Sequence, residues 1–348
     1  MATPKKQRID PSSVKTPTVP AKPVKGTVPV VPPKAKGKSG RPGGRPPGAP
    51  QIKKATLGDW IAGARLQTLA LAIAPVALGT AAAYVLPSDD AGGGWHWMRA
   101  LLCLAVAVAL QIGVNYANDY SDGIRGTDRN RVGPRRLVAS GAAKARTVLI
   151  VALVFFGIAA VAGLVIVIRT QIWWLLAVGA VAIVAAWFYT GGKRPYGYYG
   201  LGEVVVFVFF GLVATVGTTY VLSGQFTLEA WLAGAAAGLF ACAVLMVNNI
   251  RDRENDKASG KRTLAVLIGD LPSRIVFGVL VLAPYGILAF FTLFYENAYL
   301  TYFTLLAAIP AVAITISAKT PPELIVALRL TLLTALAYAL ILGWAIAF

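Results

Sequence analysis

The sequence predicts an all-α integral membrane protein with nine transmembrane helices. Of its 348 residues, 57% are hydrophobic and only 14% are charged. A typical soluble domain is about 45–50% apolar and 25% charged, and the mean hydropathy here is +0.65. The apolar residues gather in runs of about 20, the length that crosses a bilayer. The runs are continuously apolar rather than alternating, which favours helices over a barrel.

The chain opens on a segment of another kind. Residues 1–54 hold 13 Lys/Arg and a single acid, Asp10, and so carry most of the net charge of +18. Pro, Lys and Gly dominate and large apolar side chains are scarce. Such a segment cannot offset its ordering entropy by burial, so it reads as a disordered tail, 1–54, ahead of a membrane domain, 55–348. It has no apolar h-region and is not read as a signal peptide. One role is a polybasic anchor for anionic lipid headgroups; a solvated, dispensable extension is the plainer reading. No nucleic acid is expected as a partner.

The runs fall near 60–86, 99–118, 147–168, 170–190, 202–223, 230–250, 273–294, 297–317 and 323–347. Pro75, Pro284 and Pro310 lie within them and are expected to kink them. Loop charge sets the orientation. The loops after the second, fourth, sixth and eighth runs carry fifteen Lys/Arg, whereas the other side shows little beyond Arg99 and Arg169. The positive-inside rule then puts the N-terminus in the cytoplasm and the C-terminus outside. Cys103 and Cys242 lie inside apolar runs and read as small core residues, without disulfide or metal spacing. His96 is the one histidine and cannot build a zinc site.

Chemistry concentrates at two places. The second run ends in Gln111-Ile-Gly-Val-Asn115-Tyr-Ala-Asn118-Asp119-Tyr-Ser-Asp122, with Asp128 following, and the sixth ends in Asn248-Asn249-Ile-Arg251-Asp252-Arg253-Glu254-Asn255-Asp256. Spacings of four put each set on one helical face. The clusters lie four runs apart, so both face the cytoplasm, as a weak internal repeat would arrange them. Facing carboxylates repel unless cations lie between them. Hard oxygen ligands suit magnesium, which bridges carboxylates to phosphates while Lys and Arg take the remaining phosphate oxygens. The pair therefore reads as a magnesium–diphosphate site at a membrane surface; solvated helix ends with local salt bridges are the bland alternative. Other polar groups fall at run edges. Tyr189-Thr-Gly-Gly-Lys193-Arg194 fits either a phosphate-binding turn or an aromatic belt with a basic loop. Arg65, Glu203 and Arg329 complete the list, and long arginines near helix ends often only snorkel.

On these residues the chain resembles the UbiA superfamily of intramembrane prenyltransferases, over about residues 57–348. Asn118-Asp119-Tyr-Ser-Asp122 matches the superfamily's Asn-Asp-x-x-Asp element. The late Asp128, followed by Arg131-Val-Gly-Pro-Arg135, is similar to the branch that prenylates 1,4-dihydroxy-2-naphthoate. So is Asn249-Ile-Arg251-Asp252-Arg-Glu-Asn-Asp256 with Gly260-Lys261-Arg262-Thr263-Leu264. Tyr189 and Lys193 resemble a Tyr-x-x-x-Lys element. Ala64-Arg65-Leu66-Gln67-Thr68 resembles an Arg-Pro-x-Thr entry, with Leu66 in place of the proline.

The resemblance implies nine helices around a central cavity and transfer of a polyprenyl chain from its diphosphate to 1,4-dihydroxy-2-naphthoate. Carbon dioxide and diphosphate would leave, giving demethylmenaquinone in a bacterial plasma membrane, with the site opening to the cytoplasm. It implies two magnesium ions held by Asp119, Asp122, Asp252 and Asp256, with Asp128 either assisting metal binding or handling protons on the aromatic acceptor. Substrate and diphosphate contacts would come from Arg65, Asn115, Asn118, Arg131, Tyr189, Lys193, Arg194, Asn248, Asn249, Arg251, Lys261 and Arg262. Another aromatic acceptor, such as 4-hydroxybenzoate, remains open. A cation-coupled transporter also uses intramembrane acids, but would place them near the bilayer midplane rather than at helix ends beside basic loops.

Overall fold

In the computed structural model, the described residues are 54–86, 96–127 and 136–348, and every regular element among them is helical. The basic tail before Lys54, and Asp128 and Arg131 of the site expectation, lie outside the described residues.

The first expected crossing is interrupted. Helix α1 (Leu57–Ala64) opens on a capping box: Asp59 N donates to Thr56 Oγ1 at 3.2 Å and Thr56 N donates to Asp59 Oδ2 at 2.8 Å. It stops at Arg65, whose backbone is left-handed at φ 54°. A 3-10 turn (Leu66–Leu69) then leads into α2 (Ala70–Tyr84). Helix α3 (Trp97–Arg125) runs well past the expected end at 118, because no breaker intervenes before Gly126, at φ 73°. The acidic motif is therefore helical throughout.

Helices α4 (Ala145–Thr170) and α6 (Gly202–Ser223) flank the short α5 (Leu175–Phe188). Helix α7 (Leu228–Ala258) is capped by Thr227, whose Oγ1 accepts from Ala230 N at 3.1 Å, and it carries the second motif in its last turns. After a short α8 (Leu264–Ile268) come α9 (Asp270–Phe294), a 3-10 stretch (Glu296–Thr304) continuing into α10 (Leu305–Ser317), and α11 (Pro321–Ala347).

Among the described residues, eight segments are long and apolar enough to cross a membrane. The ninth expected crossing is α5. Its 14 residues rise about 21 Å at ~1.5 Å each, short of a hydrocarbon core of about 30 Å. It starts late, after Trp173 and Trp174, and is closed by the turn at Thr190-Gly191-Gly192, with Gly192 at φ 74°.

Two packing centres hold the bundle. In one, Phe240 of α7 and Tyr338 of α11 meet edge-on at 5.1 Å between centroids, with Tyr285 of α9 5.7 Å from Tyr338. Buried phenols need acceptors. Tyr338 donates to Pro284 O at 2.8 Å, and Tyr285 shares a hydrogen bond with Thr304 Oγ1 at 2.7 Å. In the other, Tyr116, Ile112, Val148 and Phe156 join α3 to α4. Between α2 and α7 lies a cavity of about 540 Å3 with walls of Ala, Val, Leu and Gly.

Helices α6 and α7 approach backbone to backbone where α6 widens into a π-helical stretch, Phe207–Val213. A Cβ on Gly211 would stand 2.5 Å from Gly234 O and 2.6 Å from Gly238 Cα. Gly217, six residues on, faces the cavity with nothing within 4 Å. Gly211→Val is expected to destabilise the protein by about 1–3 kcal/mol through overpacking, read as a lower thermal midpoint in detergent. Gly217→Ala should leave that midpoint unchanged or slightly raised.

Candidate active site

The site is built along one edge of α3. Gln111, Asn115, Asn118, Asp122 and Arg125 recur at spacings of four and three, so they line a single helical face. They engage neighbouring segments in turn, Gln111 and Asn115 sharing Thr68 and Asn118 and Arg125 sharing Thr190. Gln111 Nε2 donates to Thr68 Oγ1 at 2.9 Å, and Asn115 Nδ2 donates to Ala64 O at 2.9 Å. Asn118 Oδ1 accepts from Thr190 Oγ1 at 2.7 Å. Asp122 Oδ1 accepts from the Tyr198 hydroxyl at 2.5 Å. Arg125 donates to the carbonyls of Thr190 and Gly192, clamping the turn after α5.

The second motif meets the first at the same end of the bundle. Lys261, just beyond α7, places Nζ 3.3 Å from Asp122 Oδ1 and 3.8 Å from Asp256 Oδ1. One ammonium thus spans carboxylates from both motifs. Asn255 Nδ2 donates to Thr127 O at 3.1 Å, a second tie between them. Lys261 also lies 4.6 Å from the Tyr198 ring centroid, and Arg125 lies 5.5 Å from it. Burial, and then the neighbouring Asp122 carboxylate, push the Tyr198 phenol well above its ordinary range. It stays a neutral donor.

Other expected site residues take different positions. Asp119 is buried on the adjoining face of α3, where Oδ2 accepts from Leu137 N at 2.8 Å and Oδ1 from Val138 N at 3.1 Å. Asp252 forms a bidentate pair with its neighbour Arg251, Nε to Oδ1 and Nη2 to Oδ2 both at 2.8 Å, and the two side chains are 9% and 4% exposed. Asn249 Nδ2 donates to Glu203 Oε1 at 3.0 Å. Tyr189 and Asn248 line the cavity, whereas Lys193, Arg194 and Arg262 are exposed beside it.

Where the cavity meets α1 and α3, two buried polar atoms have no partner among the described residues: Arg65 Nη2 and Gln111 Oε1. Buried polar groups are rarely left unpaired. A cation and an acceptor amide oxygen in one apolar pocket suit a ligand that carries both an anionic group and a hydroxyl.

The residues fit a hard divalent cation. Among the described residues, no three acidic, histidine or cysteine side chains converge tightly enough to hold an ion alone. Magnesium, however, is usually held by one or two carboxylates together with substrate phosphates rather than by an all-protein cage. Asp122 and Asp256, within reach of the same ammonium, supply that set.

Several of these residues carry no signal of their own in the sequence. Tyr198 lies just past Tyr189–Arg194, in the patch that fits either a phosphate-binding turn or an aromatic belt, and Arg125 is one of the fifteen loop cations. Glu203 stands out only as an acid at a helix start. Their partners lie 39 to 76 residues away along the chain.

A multi-pass helical bundle, an apolar cavity and, one to two turns beyond its polar end, carboxylates of two helices gathered at one ammonium define a membrane enzyme for an amphipathic, anionic substrate. The chain belongs to the UbiA prenyltransferase family, whose model matches residues 72–323. It is 50% identical over 236 residues to 1,4-dihydroxy-2-naphthoate octaprenyltransferase of Mycobacterium tuberculosis, which covers 68% of this chain and 78% of that protein. The enzyme of the same name from Escherichia coli is 36% identical, over 72% and 81% of the two chains. The fold matches a UbiA homologue from Aeropyrum pernix, with a TM-score of 0.60 at 17% identity over 81% of this chain and 97% of that one. It also matches an Archaeoglobus fulgidus homologue solved with DMAPP and Mg2+, with a TM-score of 0.55 at 16% identity over 83% and 99%.

The Arg251–Asp252 pair makes its own prediction. Removing one member of a buried ion pair strands the other charge, at a cost of about 3–5 kcal/mol. Arg251→Leu is expected to lower stability by that amount in denaturant melts. Arg262→Leu, at an exposed position, should fall within about 0.5 kcal/mol of wild type.

Proposed function

We propose that this protein transfers a polyprenyl chain from its diphosphate to 1,4-dihydroxy-2-naphthoate, with loss of carbon dioxide and diphosphate, in menaquinone biosynthesis. The observation that carries this reading is Lys261 spanning Asp122 and Asp256, which lie one and two helical turns beyond Asn118 and Asn248 of the apolar cavity's lining. The names of the relatives support the acceptor, and the neighbour solved with a prenyl diphosphate and Mg2+ supports the donor.

The chemical problem is ionisation of an allylic C–O bond. Magnesium, two ions in this reading, would lie at Asp122 and Asp256 and supply Lewis-acid stabilisation of the leaving diphosphate. Lys261 offers a positive charge where negative charge develops, with Lys193 and Arg262 as outer cations. Asn118 and Asn248, at the cavity mouth, orient the head of the substrate. The apolar walls house the chain and keep water from the allylic cation. A ring carbon of the acceptor then bonds to the first prenyl carbon, and the ring carboxylate leaves as carbon dioxide. The product of this balanced exchange is the hydroquinone, demethylmenaquinol; demethylmenaquinone forms from it outside the site when an external two-electron oxidant, dioxygen in an aerobic assay, takes two electrons and two protons. Arg65 and Gln111, with their unpartnered atoms, receive the carboxylate and a hydroxyl of the acceptor.

In the membrane we place the N-terminus and both acidic motifs at the cytoplasmic face of a bacterial plasma membrane and the C-terminus outside, with α5 as a short fourth crossing among nine. Loop charge supports this. The basic tail, as a separate segment, would lie against anionic lipid. A transporter is disfavoured because the acids occupy the last turns of α3 and α7.

Purified protein in detergent, given magnesium, a polyprenyl diphosphate and 1,4-dihydroxy-2-naphthoate, is expected to yield demethylmenaquinone. Chelation should stop the reaction, and Asp122→Ala and Asp256→Ala should each slow it by at least ~10²-fold. Product from 4-hydroxybenzoate alone would keep the family and discard this acceptor. Diphosphate-independent solute flux in liposomes would favour the transporter. A second test separates the two ends of the site. Arg65→Leu is expected to raise the acceptor KM by about 10–100-fold, the worth of a charge-assisted hydrogen bond. The KM for the polyprenyl diphosphate should not change.

A further inference from the structure

We propose that Tyr198 is a positioning residue of the metal–diphosphate site, its hydroxyl fixing Asp122 and its ring seating the two nearest cations. This rests on the functional reading above and adds a residue that neither acidic motif contains.

Tyr198 touches both halves of the site. Its hydroxyl is 2.5 Å from Asp122 Oδ1 on the first motif. Its ring lies under Lys261, which follows the second motif, and under Arg125, one turn beyond Asp122 on α3. Its carbonyl accepts from Arg262 N at 2.9 Å, which fixes the backbone next to Lys261. Among the described residues, Lys261 is the other group that holds the Asp122 carboxylate, and without these two partners staggered rotamers are open to it at the end of α3.

The direction of the hold matters. Tyr198 and Lys261 both approach the same oxygen, Oδ1. Among the described residues, no donor or cation is paired with the other oxygen, Oδ2, which is the one a metal ion would take. Partners that orient a ligating carboxylate in this way typically contribute 10–100-fold to metal affinity or activity.

The turn that carries Tyr198 is itself rigidly seated. Tyr196–Tyr198 form one 3-10 turn after Pro195, and Tyr198 N donates to Pro195 O at 3.0 Å. Gly197 N donates to Tyr189 O at 3.1 Å, and a Cβ on Gly197 would stand 2.6 Å from that oxygen. The ring therefore enters the site from a backbone with little freedom, which a residue that orients another requires.

The test uses the full-length protein in detergent and separates hydroxyl from ring. Tyr198→Phe keeps the ring and its cations but frees Asp122. Two quantities are measured: the magnesium concentration for half-maximal prenyl transfer, and Mn2+ affinity by EPR with geranyl S-thiolodiphosphate present and no acceptor. Both are expected to weaken about tenfold, with kcat at saturating magnesium within about threefold of wild type and the metal-free thermal midpoint unchanged. Tyr198→Leu, which also unseats Lys261 and Arg125, is expected to raise the diphosphate KM in addition. Wild-type metal affinity in Tyr198→Phe overturns the proposal. So does equal loss at every magnesium concentration with a lowered thermal midpoint, which marks a packing role. Wild-type protein that binds Mn2+ with the analogue but makes no product sinks the acceptor assignment and leaves Tyr198 to be judged on Mn2+ alone. Wild-type protein that binds no Mn2+ overturns the metal reading and this proposal together.

Discussion

The polar edge of α3 is the constraint that the rest of the structure answers to. From Gln111 to Arg125 it runs fourteen residues, about 21 Å at ~1.5 Å each, inside a bundle built of apolar side chains. An unmet polar group in an apolar interior costs several kcal/mol, so each side chain on that edge is tied to a neighbour, with Gln111 Oε1 the atom on it left open toward the cavity. The partners come in order along the helix. The α1–α2 turn meets Gln111 and Asn115. The turn after α5 meets Asn118 and Arg125. Tyr198 and Lys261 meet Asp122. The irregular segments of the fold are thus drawn to one edge of one helix.

That arrangement reconciles two requirements of the proposed chemistry. An allylic cation survives only away from water, whereas a diphosphate leaves only where charge can be neutralised. Here the change from dry to charged surroundings occurs over two turns of α3. Gln111 and Asn115 still lie against the apolar cavity, and Asp122 already faces Lys261 and the second motif. Helix α7 makes the same passage, from Val244 on the cavity wall to Asp256 at the mouth. In the proposed reaction the two helices would hold the diphosphate end of the substrate between them, and α6 is drawn close to α7 by Gly211 and Gly238.

Most of this plan was legible in the sequence, for physical reasons that can be named. Apolar runs of membrane length are a long, redundant signal, so the helices fell where hydropathy put them. The paired acids stood out because aspartates are costly beside lipid. Three features were not legible. The break at Arg65 depends on a left-handed residue with no glycine to announce it. The shortness of α5 depends on turn geometry at Thr190–Gly192, which hydropathy averages over. The third is the separation of the aspartates. Asp119 and Asp122 look alike in sequence, yet a 100° step per residue turns Asp119 toward the amides of Leu137 and Val138 and Asp122 toward Lys261.

The same step explains why the motif has more acids than the cavity mouth uses. Gly123, one turn beyond Asp119, lets Val138 approach so closely that a Cβ there would stand 2.5 Å from the valine side chain. Leu137 fills the space beside Gly63 and Tyr116 and is fully buried. Asp119 is thus the polar member of a packed joint that seats the chain after the first motif, and a neutral residue there would leave two buried amides without acceptors. On the other helix Asp252 is held by Arg251 while Asp256 reaches Lys261. In each motif one aspartate is bound into the scaffold and another is presented across the mouth. If the site grips two negatively charged phosphates, as proposed, it needs its carboxylates few and well aimed, and binding Asp119 and Asp252 to the fold's own donors would serve that end.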